Sequence, residues 1–182
     1  MNKTIPYEVK KATTADSAAI IKILKDRASL LKEQGSTQWN FLLTGLEDEE
    51  IVRNVEAGLF YKVVDLADSH IVATFLLSRD QDEWDVNLWG KDDGNGGTIV
   101  YLHKLAVSVD RIGANLGDFV MHWIKDQAKS LQVDTIRLDC VAYSSYLRPF
   151  YEKHGFILKK EVHDHYLFEW HVQQKEGEAV PN

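Results

Sequence analysis

Cysteine is nearly absent: Cys140 is the single one among 182 residues. A disulfide framework within the chain is therefore excluded, and so is a cysteine-based zinc site. Positive charge is also scarce. Lys and Arg number 21 against 28 Asp and Glu, for a formal net charge of −7. A nucleic-acid binder normally presents a basic face, so no nucleic-acid partner is expected. The acidic surplus mildly favours cationic small molecules or basic peptides. No apolar run approaches the ~18–20 residues that a membrane span needs. The opening "MNKTIPYEVKKATTADSAAI" lacks the apolar stretch of a signal peptide. A cytoplasmic protein without membrane attachment is the expectation. Neither a Walker loop nor a dinucleotide fingerprint occurs.

What is present suits one folded domain. Hydrophobic residues make up 45% and charged residues 27%, enough to build a core and too apolar for global disorder. The domain is expected over residues 1–174, with a polar, frayed tail at 175–182. "YEVKKAT" reads as a strand. Ile20, Ile23, Leu24, Leu30 and Leu31 return with a helical period after Thr14 or Asp16 as a cap, and Gly35 is a natural stop. "STQWNFLLTG" links this helix to an acidic one that ends at Gly58. "LFYKVVDLA" and "HIVATFLLSR", separated by "DS", read as a hairpin. "DQDEWDVNLWGKDDGNGG" reads as a long polar loop. "TIVYLHKLAVSV" is the longest apolar strand, "GDFVMHWIKDQAKSL" a helix, "VDTIRLDCVA" a strand, "SYLRPFYEKHG" a short helix, and "FILKKEVHDHYLFEWHVQQ" one or two strands. The order predicts a mixed α/β fold.

The stretch "LAVSVDRIGANLGDFVMHWI" passes from strand to helix through a turn that carries Gly113 and Gly117. The first amides of a helix lack intrahelical partners, and the macrodipole makes that end partly positive. Phosphate oxygens can bind there when no side chain blocks the approach. Gly113, Ala114 and Gly117 would keep it open. The same glycines would equally serve a turn that is merely tight.

Downstream, "FYEKHGF" follows a strand and a short helix start. With "LAVSVDRIGANLG" it resembles the GCN5-related N-acetyltransferases, from Tyr7 to about Gln173. The family's loop usually reads Arg/Gln-x-x-Gly-x-Gly/Ala. Here Ile112 holds the first position, Arg111 lies one place early, Asn115 replaces the first glycine and Gly117 matches the last. Asn tolerates a left-handed backbone better than most residues. Ser144 stands where the family usually has Asn.

The resemblance implies an acyl-CoA N-acyltransferase fold: a mostly antiparallel sheet of roughly six or seven strands with about four helices on its faces. One pair, Leu105–Val107 beside Ile136–Val141, would be parallel and would part at a bulge. The helix from about Asn115 to Leu131 would join them. It also implies direct transfer from acetyl-CoA to a primary amine of a small molecule or peptide; a non-catalytic acyl-CoA-binding module on the same fold is the alternative. Leu105, Ala106 and Val107 would hold pantetheine. Ile112, Gly113, Ala114, Asn115, Leu116 and Gly117 would hold the pyrophosphate, with Ser144, Phe150 and Tyr151 nearby. Tyr151 matches the motif tyrosine and would protonate the leaving thiolate. For the base, His103 has a suitable unperturbed pKa of ~6.5. Two residues before Leu105, it is expected to share that residue's face; a water chain is the other candidate. Trp39 and Phe41 would wall the acceptor site. Cys140 reads as core, and His163 and His165 as a solvated strand face, so no metal is expected. A homodimer is possible in such a family.

Overall fold

The computed structural model describes residues 6–173; residues 1–5 and the expected tail at 175–182 lie outside that range. Seven strands form one sheet: β1 Tyr7–Lys11, β2 Phe60–Asp65, β3 Ile71–Ser78, β4 Ile99–Val107, β5 Thr135–Val141, β6 Ile157–Val162 and β7 His165–His171, in the order β1-β2-β3-β4-β5-β7-β6. Only β4 and β5 run parallel. Five α-helices accompany it: α1 Ser17–Glu33, α2 Asp48–Glu56, α3 Glu83–Trp89, α4 Leu116–Ser130 and α5 Leu147–Lys153.

Periodicity explains the long elements. In α1, Ile20, Ile23, Leu24 and Ala28 are buried against Leu42, Ile51, Val55, Phe60, Leu76 and Ala106 on one face of the sheet. In α4, Leu116, Val120, Met121, Ile124 and Ala128 pack on the other face with Val100, Leu102, Ile136 and Leu138. Phe150 and Tyr151 of α5 join that second core. Gly35 ends α1 at φ +83°, a left-handed value that glycine adopts without strain. Asp16 does not cap α1 in the expected way; its carboxylate accepts from the amide of Thr13 at 2.7 Å and from the ammonium of Lys62.

Two details depart from expectation. The stretch read as a long polar loop contains α3. Its acidic sequence hides a reciprocal cap: Asp82 accepts from the amide of Asp85 at 2.7 Å, and Asp85 accepts from the amide of Asp82 at 3.2 Å. Parallel pairing is also confined to Ile99–Tyr101 beside Thr135–Arg137. Beyond it β4 and β5 part, so Leu105–Val107 lies on the opened side and not in the paired seam.

A bulge accompanies the parting. Ala106 pairs with Thr74 and His103 with Leu76, so Lys104 and Leu105 together oppose Phe75. Lys104 takes up the extra residue at φ +50°. The bulge shifts the pleat by one. His103 therefore lies on the face of Leu76 and Ala106, and Leu105 on the face of α4. The expected shared face is overturned by this single inserted residue.

Candidate active site

The gap between the parted strands opens into a cleft of about 1360 Å³. Leu102, His103, Lys104 and Leu105 of β4 line one wall, and Leu138, Asp139, Cys140 and Val141 of β5 the other. The α1–α2 linker closes its outer side with Trp39 and Phe41, the latter 47% exposed. The Tyr143 hydroxyl lies 3.3 Å from both Ser36 Oγ and Thr37 Oγ1, which ties the β5–α5 loop to that linker. A smaller pocket of about 230 Å³ lies at the α4 N-terminus, lined by Ile112, Gly113, Asn115, Leu116, Gly117, Phe150 and others. Leu105, Leu147 and Tyr151 line both spaces. The two form one path past Tyr151.

The cradle at the pocket is built largely from backbone. Asn115 stands immediately before α4 at φ +56°, the left-handed geometry its side chain tolerates. The amides of Leu116, Gly117 and Asp118 precede the first intrahelical bond, made by Phe119 to Asn115 at 3.1 Å. Gly113 has φ +89° and open space where a Cβ would stand. Gly117 differs: a Cβ there would meet Phe150 Cζ at 3.1 Å. Its missing side chain makes room for Phe150 more than for a ligand. The amide of Ala114 already donates to Arg111 at 3.2 Å, so it is not free for an anion. Ser144 lines neither space; its Oγ accepts the amide of Leu147 at 3.3 Å and caps α5. Ala106 is buried toward α1, so only its main chain can face the gap.

Charge separates along the path. Arg27, Arg111 and Lys153 line the small pocket with Asp118 as the opposing carboxylate. Arg111 is engaged by Asp65 and Asp68, and Lys153 by Asp118. Arg27, on α1, has no ion pair among the described residues. The wide cleft is the reverse: Glu47, Glu50, Asp82, Glu83, Asp139 and Asp164 line it, with Lys104 as the one lysine, itself 3.6 Å from Glu47.

The titratable groups have identifiable environments. Burial raises the pKa of the Tyr151 phenol, so it stays protonated across the neutral range. Its ring packs among Phe150, Phe156 and Phe168 at centroid distances of 5.2, 6.1 and 5.8 Å. Burial likewise pushes the Cys140 thiol up to about 12, which makes a thiolate nucleophile unavailable there. Burial pulls His103 down, but the hydrogen bond and charge of Asp85, helped by Asp82 and Asp139, outweigh it and the imidazole pKa is raised. His103 Nε2 lies 3.0 Å from Asp85 Oδ2. Burial raises the carboxyl of Asp139, which accepts from Trp84 Nε1 at 3.3 Å. Asp85 and Asp139 were not singled out in the sequence. Asp82-x-x-Asp85 before an apolar pair was the signal for the first; alternation along "TIRLDCV" was the signal for the second.

His163 and His165 line the cleft rim. Asp82, Asp85 and His103 converge within 4.8 Å, the one such group that could hold a metal among the described residues. Among these residues no helix is long and apolar enough to cross a membrane.

Comparison with known proteins shows which family shares this fold. The model of the acetyltransferase (GNAT) family matches residues 24–156. The chain belongs to the GNAT acetyltransferase family. A relative named uncharacterized N-acetyltransferase YesJ, from Bacillus subtilis (strain 168), is 36% identical over 159 residues, covering 87% of this chain and 86% of its own. A GNAT acetyltransferase structure from Listeria monocytogenes 4b F2365 superposes with a TM-score of 0.78 at 27% identity, over 91% of this chain and 94% of that one. The PaiA N-acetyltransferase of Thermoplasma acidophilum, solved in complex with coenzyme A, superposes with a TM-score of 0.71 at 14% identity, over 91% of this chain and 98% of that one. The last likeness is of GNAT fold alone.

Proposed function

We propose that this acetyltransferase moves the acetyl group of acetyl-CoA directly to a primary amine of a small molecule or peptide, within a ternary complex. The observation that carries the reading is Tyr151, which borders both the pocket at α4 and the wide cleft. A thioester reaching through the gap would meet its hydroxyl. The small pocket fits the anionic end of the co-substrate: open helix amides, free space at Gly113 and the unpaired Arg27 line it.

The residues divide the work. Main-chain groups of β4 left unpaired by the parting are available to hold the pantetheine arm and to polarise the carbonyl. His103 accepts the proton that the ammonium must lose before its lone pair can attack. The new C–N bond forms as the C–S bond breaks; Tyr151 gives its proton to the leaving sulfur and is reprotonated by the second proton that the acylated nitrogen sheds. The cysteine takes no covalent part. Six carboxylates against one lysine at the wide end favour an acceptor that carries more than one positive charge. The aromatic rings of Trp39, Phe41 and Trp84 suit the same cation.

Calorimetric titration with acetyl-CoA, then thiol release over a panel of diamines, polyamines, amino acids and basic peptides, tests this. Saturable binding and turnover on a cationic amine are expected. Binding without turnover on any amine would sink the catalytic reading.

A further inference from the structure

We infer that Asp85 is a positioning residue for His103, holding the imidazole with its proton on Nε2 and leaving the Nδ1 lone pair as the base that faces the acceptor. This inference rests on the assignment of His103 as base in the function proposed above.

The geometry is specific. His103 Nε2 and Asp85 Oδ2 are 3.0 Å apart, with side-chain exposures of 14% and 2%. An ionised carboxylate only accepts, so this nitrogen must be the one bearing hydrogen. Nδ1 has no partner among the described residues, and the ring lines the cleft. The bulge at Lys104 is what places His103 on this face. The same bulge leaves Leu105 on the other face with Tyr151. Base and acid therefore work from opposite sides of the sheet, and the gap between β4 and β5 lets them reach one reacting centre.

α3 exists in a form that serves this contact. Asp85 Oδ2 also accepts from the amide of Asp82, so the cap that starts the helix fixes the carboxylate that holds the ring. The other charged groups around the imidazole are Asp82 at the α3 N-cap, Asp139 from β5 with His165 of β7 behind it, and Lys104 of β4 itself; Glu47 and Glu50 lie on the far wall. Their sum is negative, and the imidazole pKa is raised despite burial. In turnover the proton leaves the acceptor ammonium for Nδ1. Nε2–H stays directed at Asp85 Oδ2. The proton then passes to solvent.

The test reads the ring directly. Long-range proton–nitrogen spectra of uniformly 15N-labelled full-length protein report each histidine's tautomer and titration, and His103 is assigned by the signals lost in His103→Gln. The expected result is an Nε2–H tautomer with a pKa above the ordinary ~6.5. An Nδ1–H tautomer, or titration below that value, overturns the inference without any variant at position 85. Asp85→Asn keeps an oxygen for the Asp82 amide, so the helix cap survives. It should lower the His103 pKa, move the acid limb of kcat to lower pH and reduce the plateau kcat roughly tenfold to a hundredfold, with the KM for acetyl-CoA unchanged. Asp85→Glu should restore part of the pKa. Full activity in His103→Gln would refute the base assignment alone, since the spectra still decide the pairing. A His103-dependent enzyme whose spectra and pH profile ignore Asp85→Asn would refute the pairing alone.

Discussion

Replacing Tyr151 with Phe removes one oxygen from the point where pocket and cleft meet. Nothing in the packing needs that oxygen. The ring contacts to Phe150, Phe156 and Phe168 are made by carbon, and the hydroxyl has no hydrogen-bond partner among the described residues. No protein–protein bond is lost, so stability should change by less than about 1 kcal/mol. Affinity for acetyl-CoA should change little for the same reason. The loss falls on the leaving group. A positioned general acid is worth ~10²–10⁴-fold, and a thiol leaves tolerably without help, so kcat should fall roughly tenfold to a hundredfold. That corresponds to about 1.4–2.7 kcal/mol of barrier. The assay is thiol release at saturating acetyl-CoA on an amine shown to be a substrate, beside thermal melts and calorimetric titration of both proteins. Burial raises this phenol, so its ionisation stays clear of the working range. Wild type and Tyr151→Phe should therefore share any alkaline limb below pH ~9.5. An unchanged kcat in a folded mutant would reduce Tyr151 to packing and give the proton to water. A kcat loss matched by an equal loss of acetyl-CoA affinity would assign the residue to binding instead.

Three further outcomes follow from particular contacts. Gly117→Ala should lose about 1 kcal/mol in urea unfolding, because a methyl 3.1 Å from Phe150 outweighs the helix preference of alanine; a more stable variant would show that Phe150 yields freely. Cys140→Ala should keep kcat within about twofold, and native Cys140 should resist alkylation at pH 8, given a thiol at about 12; rapid labelling would refute the burial. Asp16→Ala should cost about 1.5–3 kcal/mol through lost bonds to Lys62 and Thr13, seen as a melting point lower by about 3–12 °C. Burial pushes the Asp16 carboxyl up, but Lys62 and the Thr13 donors prevail and its folded pKa is lowered. The stabilisation is thus complete above the unfolded value near 3.8 and fades as pH falls through the folded value; a variant whose deficit persisted unchanged in acid would contradict the ion pair.

Much of the fold was legible because long amphipathic periods survive any local detail. The faces of α1 and α4, the β2–β3 hairpin and the strand–turn–helix at Asn115 all follow from spacing. α3 was missed because seven residues carry too little period to stand out from a loop, and its cap uses two aspartates in an already acidic stretch. The face of His103 was misread because an alternation argument assumes an unbroken pleat, and Lys104 breaks it. Gly117 was legible as a necessary glycine, yet its neighbour is Phe150, a residue 33 positions away that spacing alone cannot bring near. Asp85 escaped for a related reason: its Asp-x-x-Asp spacing signals only a helix cap, and its contact with His103, 18 positions away, cannot be read from spacing.

A seven-stranded sheet ordinarily has two edges. This one has four, because β4 and β5 each turn an unpaired border toward the gap once the three-pair seam ends. An interior border of that kind recognises what lies against it through N–H and C=O groups, and every amino acid but proline supplies both. Substitution can recolour the walls but cannot delete those groups. The pocket at α4 likewise offers main-chain groups, so Ile112 and Asn115 can depart from the family's habitual residues at little expense, as can Ser144, which lines neither space. Side chains, by contrast, set the character of the acidic and aromatic far wall, so in the function proposed above a change of acceptor would need new side chains there and no new backbone.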